Sequence, residues 1–262
     1  MKVSFVIIYF SVEKKNQFKK QSRINNMEDV VKHVQSLDQI VQRTPEWFSA
    51  RQNMLTASDV ATVIGTNPYE KYDALVERKS YGSNTFFGNF ATAHGQKHED
   101  PARFLFGRLY GLDTWEVGLF RHPIYKWLGG SPDGIASDGS LIEIKCPLKR
   151  EIKHEIPSYY YPQVQLCMEV LDIPQCYFIQ YYPESMTRDG MLDVLCIKRD
   201  KTWFEINYPI MEKFWETVLY KREHPELKVV KPKRQIKPKN EIESECFIVS
   251  DPEDEYPSED ES

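Results

Sequence analysis

Two carboxylates and a lysine stand at a spacing that could support phosphodiester cleavage. Asp133 comes shortly before an Asp-Gly pair at 138–139, and Glu143 and Lys145 follow that pair. An Asp-Gly pair between apolar runs is a strong hairpin signal, so the flanking segments should form neighbouring antiparallel strands. Because side chains alternate along a strand, Glu143 and Lys145 point to one face. The sequence therefore predicts that all three groups converge.

Such a patch has the composition of a metal-dependent phosphodiesterase. Carboxylate oxygens are the ligands that Mg²⁺ prefers, and the bound ion activates water and stabilises the phosphate. A neighbouring lysine can position the water or stabilise developing charge. The alternative is an ordinary turn beside a solvated strand face. Against it, Glu143 lies within the apolar run Leu141, Ile142 and Ile144, where an unpaired charge is costly.

The charge is unevenly distributed along the chain. The net charge is −5, yet residues 241–262 contain ten acidic residues and no Lys or Arg. Residues 1–240 therefore hold 34 basic against 29 acidic residues, about +5. A mildly basic body is compatible with a nucleic-acid partner, although many other proteins share this charge.

The five cysteines and the N-terminus indicate where the protein acts. The cysteine count is odd and no CxxC pair occurs, which disfavours a structural zinc or iron–sulfur centre. Free thiols in a reducing compartment, and hence an intracellular protein, are the simpler interpretation. The apolar run from Val3 to Phe10 is too short to span a bilayer, so a buried strand or a leader is expected there and no membrane partner.

The elements that must position these groups follow from periodicity and capping. Helices are predicted from Pro45, from a second start at Thr56 or Ser58 up to Gly65, and over 92–111, 158–171 and 201–222. Strands are predicted over 114–122, 125–136, 140–146, 175–182 and 191–197. This order indicates an α/β domain with a mixed sheet. We expect an N-terminal extension over 1–40, the main domain over 41–225, and a disordered basic-then-acidic tail over 226–262.

Five motifs in a fixed order extend the pattern. They are Arg51…Thr56-Ala-Ser58-Asp59, Gly95-Gln-Lys-His-Glu99, Ser131-Pro-Asp133-Gly134, Glu143-Ile-Lys145-Cys-Pro147 and Tyr160-Tyr-Pro-Gln163-Val-Gln165. Together they resemble the YqaJ-type viral recombinases, relatives of phage lambda exonuclease, over about residues 44–220. The segments before residue 40 and after about residue 225 have no counterpart in this pattern.

The resemblance implies a fold and an activity. The fold is a PD-(D/E)xK restriction-endonuclease-like core, a central mixed sheet flanked by helices. The activity is Mg²⁺-dependent, with Mn²⁺ able to substitute, and digests one strand of double-stranded DNA 5′→3′. The 3′ single strands that remain would serve recombination or genome processing. The implied partners are double-stranded DNA, a single-strand annealing protein and two further copies of the chain in a homotrimer.

The resemblance also implies roles for individual residues. The metal ligands would be Glu99, Asp133, Glu143 and the backbone carbonyl of Ile144. Lys145 would hold the nucleophilic water, and Gln163 would orient Lys145 or the scissile phosphate. Tyr160 would line the same wall of the site and contact DNA, or belong to simple packing among three adjacent tyrosines.

Three further residues match positions that grip a terminal 5′-phosphate in this family. They are Arg51, Ser58 and Ser131. The chemistry is reasonable, because a guanidinium offers two parallel donors to phosphate oxygens and hydroxyls near a helix start add more. Each residue also has a plain structural alternative: a surface arginine, a helix cap and a turn residue.

Alternatives to this assignment remain in the sequence. His94 and His98 lie four residues apart and could bind zinc, but no third ligand motif is visible and the family site uses oxygens. A structure-specific or restriction-type endonuclease could be built on the same fold. A nucleic-acid-binding module without catalysis is the third possibility, and the presence of Asp133, Glu143 and Lys145 argues against it.

Overall fold

Two β-sheets with helices packed against them make up the part of the chain that the computed structural model describes, residues 6–7, 29–82, 90–185 and 189–228. The strands are β1 (Val6–Ile7), β2 (Leu55–Thr56), β3 (Thr114–Trp115), β4 (Phe120–Arg121), β5 (Leu128–Gly130), β6 (Gly134–Ala136), β7 (Leu141–Lys145), β8 (Gln175–Tyr182) and β9 (Met191–Lys198). The helices are α1 (29–36), α2 (Pro45–Gln52), α3 (Val60–Val63), α4 (Tyr72–Tyr81), α5 (Phe90–Tyr110), α6 (Tyr161–Leu171) and α7 (Lys201–Glu223). The predicted tail beyond residue 228 and most of the predicted N-terminal extension lie outside the described residues.

The larger sheet carries the predicted hairpin. Its order is β1-β9-β8-β7-β6-β3, with β6 antiparallel to β7 and β7 parallel to β8, so the predicted mixed sheet is confirmed. The turn closes through a bond from the Ala136 amide to the Ser140 carbonyl at 2.9 Å. Gly139 has φ +78°, a conformation that an L side chain rarely adopts, which is why the Asp-Gly pair forms this turn.

The smaller sheet, β2-β5-β4, corrects two predicted strands. The predicted strands 114–122 and 125–136 are each divided between the two sheets. The second one breaks at Pro132, which has no N–H to donate to a sheet. On either side the backbone is tightly packed: a Cβ on Gly129 would lie 2.8 Å from the Phe120 oxygen, and one on Gly134 would lie 2.7 Å from the Trp115 oxygen. Residues 131–133 thus form a short loop between two fixed strands.

One helix boundary and one additional helix differ from the sequence prediction, and the structure decides between the two predicted starts at Thr56 and Ser58. The predicted helix 158–171 begins only at Tyr161. The second start is capped by Thr56, whose amide donates to Asp59 Oδ2 at 3.3 Å, so Ser58 lies inside a short 3-10 turn rather than at a cap. Helix α4 was absent from the prediction. Its buried face includes Lys79 beside Leu75 and Val76, which weakens the apolar periodicity.

The main core lies between the larger sheet and helices α3, α6 and α7. Val31 and Val34 of α1 are buried in it, so the described part of the predicted N-terminal extension packs against the domain. Val6 and Ile7 pair parallel with the start of β9. Among the described residues, no helix combines the length and the apolar composition needed to cross a membrane.

Candidate active site

The β6–β7 hairpin brings the three residues singled out by spacing into one place. The Asp133 amide donates to the Ile142 carbonyl at 3.0 Å, which sets the register. Asp133 Oδ2 in turn accepts from the Ile144 amide at 2.6 Å. On β7, the Lys145 ammonium lies 2.9 Å from Glu143 Oε1. The alternation of strand side chains thus produces the patch that the sequence predicted.

Helix α6 and the residue just before it add two more of the predicted residues. The Gln163 amide donates to Glu143 Oε1 at 2.5 Å, so Gln163 and Lys145 share one carboxylate oxygen. The ring of Tyr160 lies 4.6 Å from the Lys145 ammonium, a cation–π contact. Tyr160 is only 6% exposed, so its ring supports Lys145 and offers little surface to DNA.

The surroundings of the two hairpin carboxylates, Asp133 and Glu143, disfavour their ionised forms. Burial raises the pKa of Asp133 well above its usual range, and the charges of Glu143 and then Glu99 raise it further. Burial also raises the pKa of Glu143, although the ammonium of Lys145 opposes that rise. Glu143 is 1% exposed, and its Oε2 has no hydrogen-bond partner. A buried carboxylate such as Glu143 is stabilised in its ionised form by a nearby cation.

Glu99 approaches from helix α5 but is turned toward an arginine. Its Oε2 accepts a hydrogen bond from Arg43, a residue that the sequence analysis did not consider. As the side chains stand, no three His, Cys, Asp or Glu side chains of the described residues gather closely enough to hold a metal ion. His94 and His98, whose ring centroids lie 4.5 Å apart on the same helix, have no third such ligand beside them among the described residues.

The donor set nevertheless fits a hard divalent cation. Asp133, Glu143 and Glu99 offer carboxylate oxygens, the ligands that Mg²⁺ and Mn²⁺ prefer. Glu143 Oε2 is buried without a hydrogen-bond partner, and a divalent ion bound beside Asp133 and Glu143 would favour the ionised form of both acids. Only Glu99 would have to exchange its present partner, and its side chain is 26% exposed.

A second cluster joins the three residues predicted to bind a 5′-phosphate. Arg51 donates to the Ser58 hydroxyl at 2.8 Å, and its guanidinium lies 4.3 Å from the ring centroid of Trp47. Trp47 Nε1 donates to the Ser131 hydroxyl at 3.2 Å. Trp47 therefore links Arg51 and Ser58 to Ser131, two residues before Asp133. The structure brings all three predicted residues together around this indole.

Beneath Arg51 lies a buried ion-pair network. Lys79 is 2% exposed, and its ammonium donates to the carbonyls of Arg51 and Met54 at 2.7 and 2.9 Å and lies 2.7 Å from Asp59. Burial alone would raise the pKa of Asp59, but Lys79 and Arg78 hold it below its usual range. The network ties the end of α2 to the start of α3, so it fixes the backbone that carries Arg51.

Sequence reasoning missed Trp47, Lys79 and Arg43 as parts of the site. Trp47 carried a signal, since it lies four residues before Arg51 on one helix and such pairs share a face. Lys79 and Arg43 carried none, because their partners lie far away in the chain.

The raised pKa of Asp133 predicts that removing its charge changes the stability of the folded protein. This raised pKa means that the ionised form is disfavoured in the folded state, so the stability penalty begins above the ordinary pKa of an unfolded aspartate and is present at neutral pH. We expect Asp133→Asn to raise the Tm of the metal-free protein at neutral pH by a few degrees, since 1 kcal/mol shifts Tm by about 2–4 °C at this size. Thermal unfolding followed by circular dichroism measures it.

The same experiment has an internal control in pH. As pH falls below the raised pKa, folded Asp133 keeps its proton while the unfolded chain is still ionised, so the penalty shrinks and is gone once the pH lies below the ordinary aspartate pKa. The advantage of Asp133→Asn should therefore shrink toward acidic pH. An unchanged or lower Tm for the variant at neutral pH would contradict the electrostatic interpretation.

Comparison with known sequences gives one family. A model of the YqaJ-like viral recombinase domain matches residues 46–173. Uncharacterized protein R354 of Acanthamoeba polyphaga mimivirus is 30% identical over 60% of this chain and 32% of its own length. Protein D345L of African swine fever virus, strain Badajoz 1971 Vero-adapted, is 28% identical over 47% of this chain and 44% of its own. The chain thus spans less than half the length of these relatives.

Comparison with solved structures finds similarity to an alkaline exonuclease. An alkaline exonuclease, LHK-Exo from Laribacter hongkongensis, aligns with a TM-score of 0.59 and 28% identity, covering 70% of this chain and 96% of the other. The structure of LHK-Exo in complex with dAMP aligns with a TM-score of 0.60 and 26% identity over the same shares.

Proposed function

We propose that this protein, whose residues 46–173 match the model of the YqaJ-like viral recombinase domain, is a divalent-metal-dependent DNA exonuclease. It degrades one strand of duplex DNA 5′→3′, uses Mg²⁺ with Mn²⁺ as a substitute, and leaves 3′ single strands for recombination or genome processing. A single-strand annealing protein and further copies of the chain are the partners that this activity calls for.

The observation that carries the proposal is that the cluster around Arg51 and the carboxylate cluster meet in one loop. Ser131 belongs to the arginine cluster and Asp133 to the carboxylate cluster, and both lie in the loop between β5 and β6. A terminal phosphate held at Arg51, Ser58 and Ser131 would therefore lie beside the cleavage site. An arrangement of this kind favours cutting near a strand end.

The residues divide the chemistry among them. Glu99, Asp133, Glu143 and the Ile144 carbonyl would hold the cation, which supplies the charge that activates water and stabilises the phosphate. Lys145, held between Glu143 and the Tyr160 ring, would orient the attacking water. Gln163 fixes Glu143 through the oxygen that Lys145 also uses, so it acts as a positioning residue for both.

One digestion experiment tests the whole proposal. Linear duplexes with 5′-phosphate or 5′-hydroxyl ends and closed circular DNA are incubated with Mg²⁺, with Mn²⁺ or with chelator. We expect loss of mononucleotides from the phosphorylated 5′ end, retention of the 3′-ended strand, no cutting of the circle and no activity with chelator. Nicking of the closed circle would instead show an endonuclease.

A further inference from the structure

A short segment ahead of helix α2 is tied to the active-site loop. Ile40 and Leu119 exchange backbone hydrogen bonds at 3.0 and 2.8 Å. The Gln42 side chain donates to the carbonyls of Val117 and Pro132 at 2.7 and 3.0 Å. Pro132 directly precedes Asp133, so this segment has a fixed position beside the candidate metal site.

Arg43 follows Gln42 in an unusual backbone conformation. Its φ of +65° lies in the left-handed region, which non-glycine residues occupy at a cost. The guanidinium donates to Glu99 Oε2 and lies 3.7 Å from Glu116. The Arg43 side chain is 43% exposed, so it meets solvent as well as Glu99.

Glu99 cannot serve Arg43 and a cation with the same oxygen at full strength. A divalent ion bound at Glu99 neutralises that carboxylate through either oxygen, so the attraction between Glu99 and Arg43 weakens and Glu116, at 3.7 Å, is the other carboxylate that the structure places near Arg43. A freed, partly exposed guanidinium beside a phosphodiesterase site is suited to a DNA phosphate, which it can bind through two parallel hydrogen bonds.

We propose that Arg43 is an exchangeable counter-ion: it neutralises Glu99 in the metal-free protein and passes to a DNA phosphate once Glu99 binds the metal. The inference rests on the proposed function, because it assumes that Glu99 is a metal ligand. Its consequence is thermodynamic. Arg43 makes metal binding and DNA binding reinforce each other, and such coupling is reciprocal.

The first arm of the test measures metal binding without DNA. Isothermal titration with Mn²⁺ compares the wild-type protein with Arg43→Gly, which removes the guanidinium and accepts the positive φ. We expect Arg43→Gly to bind Mn²⁺ about two- to fivefold more tightly, the range of a partly exposed ion pair. Arg103→Gln is the matched control. Arg103 lies one turn after Glu99 on α5 and pairs with Asp100, so its loss should leave the affinity unchanged.

The second arm measures DNA binding with and without the metal. A short duplex with phosphorothioate linkages, which resist cleavage, is titrated by fluorescence anisotropy at several salt concentrations. With saturating Mn²⁺, Arg43→Gly should bind more weakly and lose about one unit of salt slope, as for one phosphate contact. Without metal the two proteins should bind alike, because Arg43 is then held by Glu99.

The possible outcomes distinguish an error in the role of Arg43 from an error in the proposed metal site. Equal or weaker Mn²⁺ binding by Arg43→Gly overturns the inference, as does an equal gain in Arg103→Gln, which would reveal a general charge effect. Equal weakening of DNA binding with and without metal also overturns it, since Arg43 would then be a constant phosphate contact. If the wild-type protein binds no Mn²⁺ at all, the proposed metal site itself is wrong.

Discussion

Asp133→Asn and Glu143→Gln are each expected to slow the cleavage of linear duplex DNA by at least about 100-fold, a barrier increase of roughly 2.7 kcal/mol. Each substitution keeps the shape of the side chain and removes one negative charge from the cation site. In Asp133→Asn the new side-chain amide oxygen can still accept from the Ile144 amide, so the hairpin contact at 2.6 Å survives while a ligand is weakened. Initial rates of nucleotide release at saturating Mg²⁺ measure the effect.

A matched control lies on the same hairpin. Asp138 is another aspartate, and its oxygens accept from the Ser140 amide at 3.0 Å and the Tyr177 hydroxyl at 2.8 Å, contacts within the turn. Asp138→Asn should cleave at close to the wild-type rate. Asp133→Asn should be the more stable protein and the less active one, which excludes unfolding as the cause. Near-wild-type rates in both catalytic variants would refute the assignment.

Arg51→Ala is expected to erase most of the preference for phosphorylated 5′ ends. A charged, two-pronged hydrogen bond contributes about 1.5–3 kcal/mol, so the ratio of rates for 5′-phosphate and 5′-hydroxyl ends should fall by roughly 10- to 150-fold. Cleavage from 5′-hydroxyl ends should hardly change, because the carboxylates are untouched. The two rates are measured on duplexes that differ only in the terminal phosphate.

Two further variants show whether the effect belongs to the cluster. Arg222→Ala removes a neighbouring positive charge that hydrogen bonds to the Gln52 and Lys79 carbonyls, and it leaves the Arg51 contacts in place. It should keep the end preference. Trp47→Phe keeps a ring under Arg51 and loses the bond to Ser131, so an intermediate loss is expected. Equal slowing on both ends in Arg51→Ala would mark Arg51 as a structural residue.

The predicted PD-(D/E)xK type of fold is confirmed, and the reason is that local rules govern its central hairpin. The Asp-Gly turn and the two-residue alternation of β7 depend on neighbours in the chain. They therefore sufficed to place Asp133, Glu143 and Lys145 on one patch. The roles of these residues stay predictions, as do those of Gln163 and the Ile144 carbonyl.

What the sequence could not supply depends on distant contacts. Arg43 and Glu99 form an ion pair although more than fifty residues separate them in the chain. Nothing in the sequence around Arg43 indicates its positive φ, because arginine rarely adopts that conformation. The division of two predicted strands between two sheets arises from close backbone approaches at Gly129 and Gly134, which alternation does not register. Lys79 counted as polar in the sequence, although in the fold it is among the largest fully buried side chains.

The glycines that flank the 131–133 loop bear on how loss-of-function variants of this protein should be interpreted. A methyl group at Gly129 or Gly134 would press against a main-chain oxygen, at 2.8 or 2.7 Å, and a main chain cannot turn aside as a side chain can. The displacement would pass directly to Ser131 and Asp133. A genetic screen would then score both glycines as essential, although neither has any chemistry to lose. Positions that do not tolerate substitution would then include the glycines that hold the 131–133 loop in place, in addition to the residues that take part in the reaction.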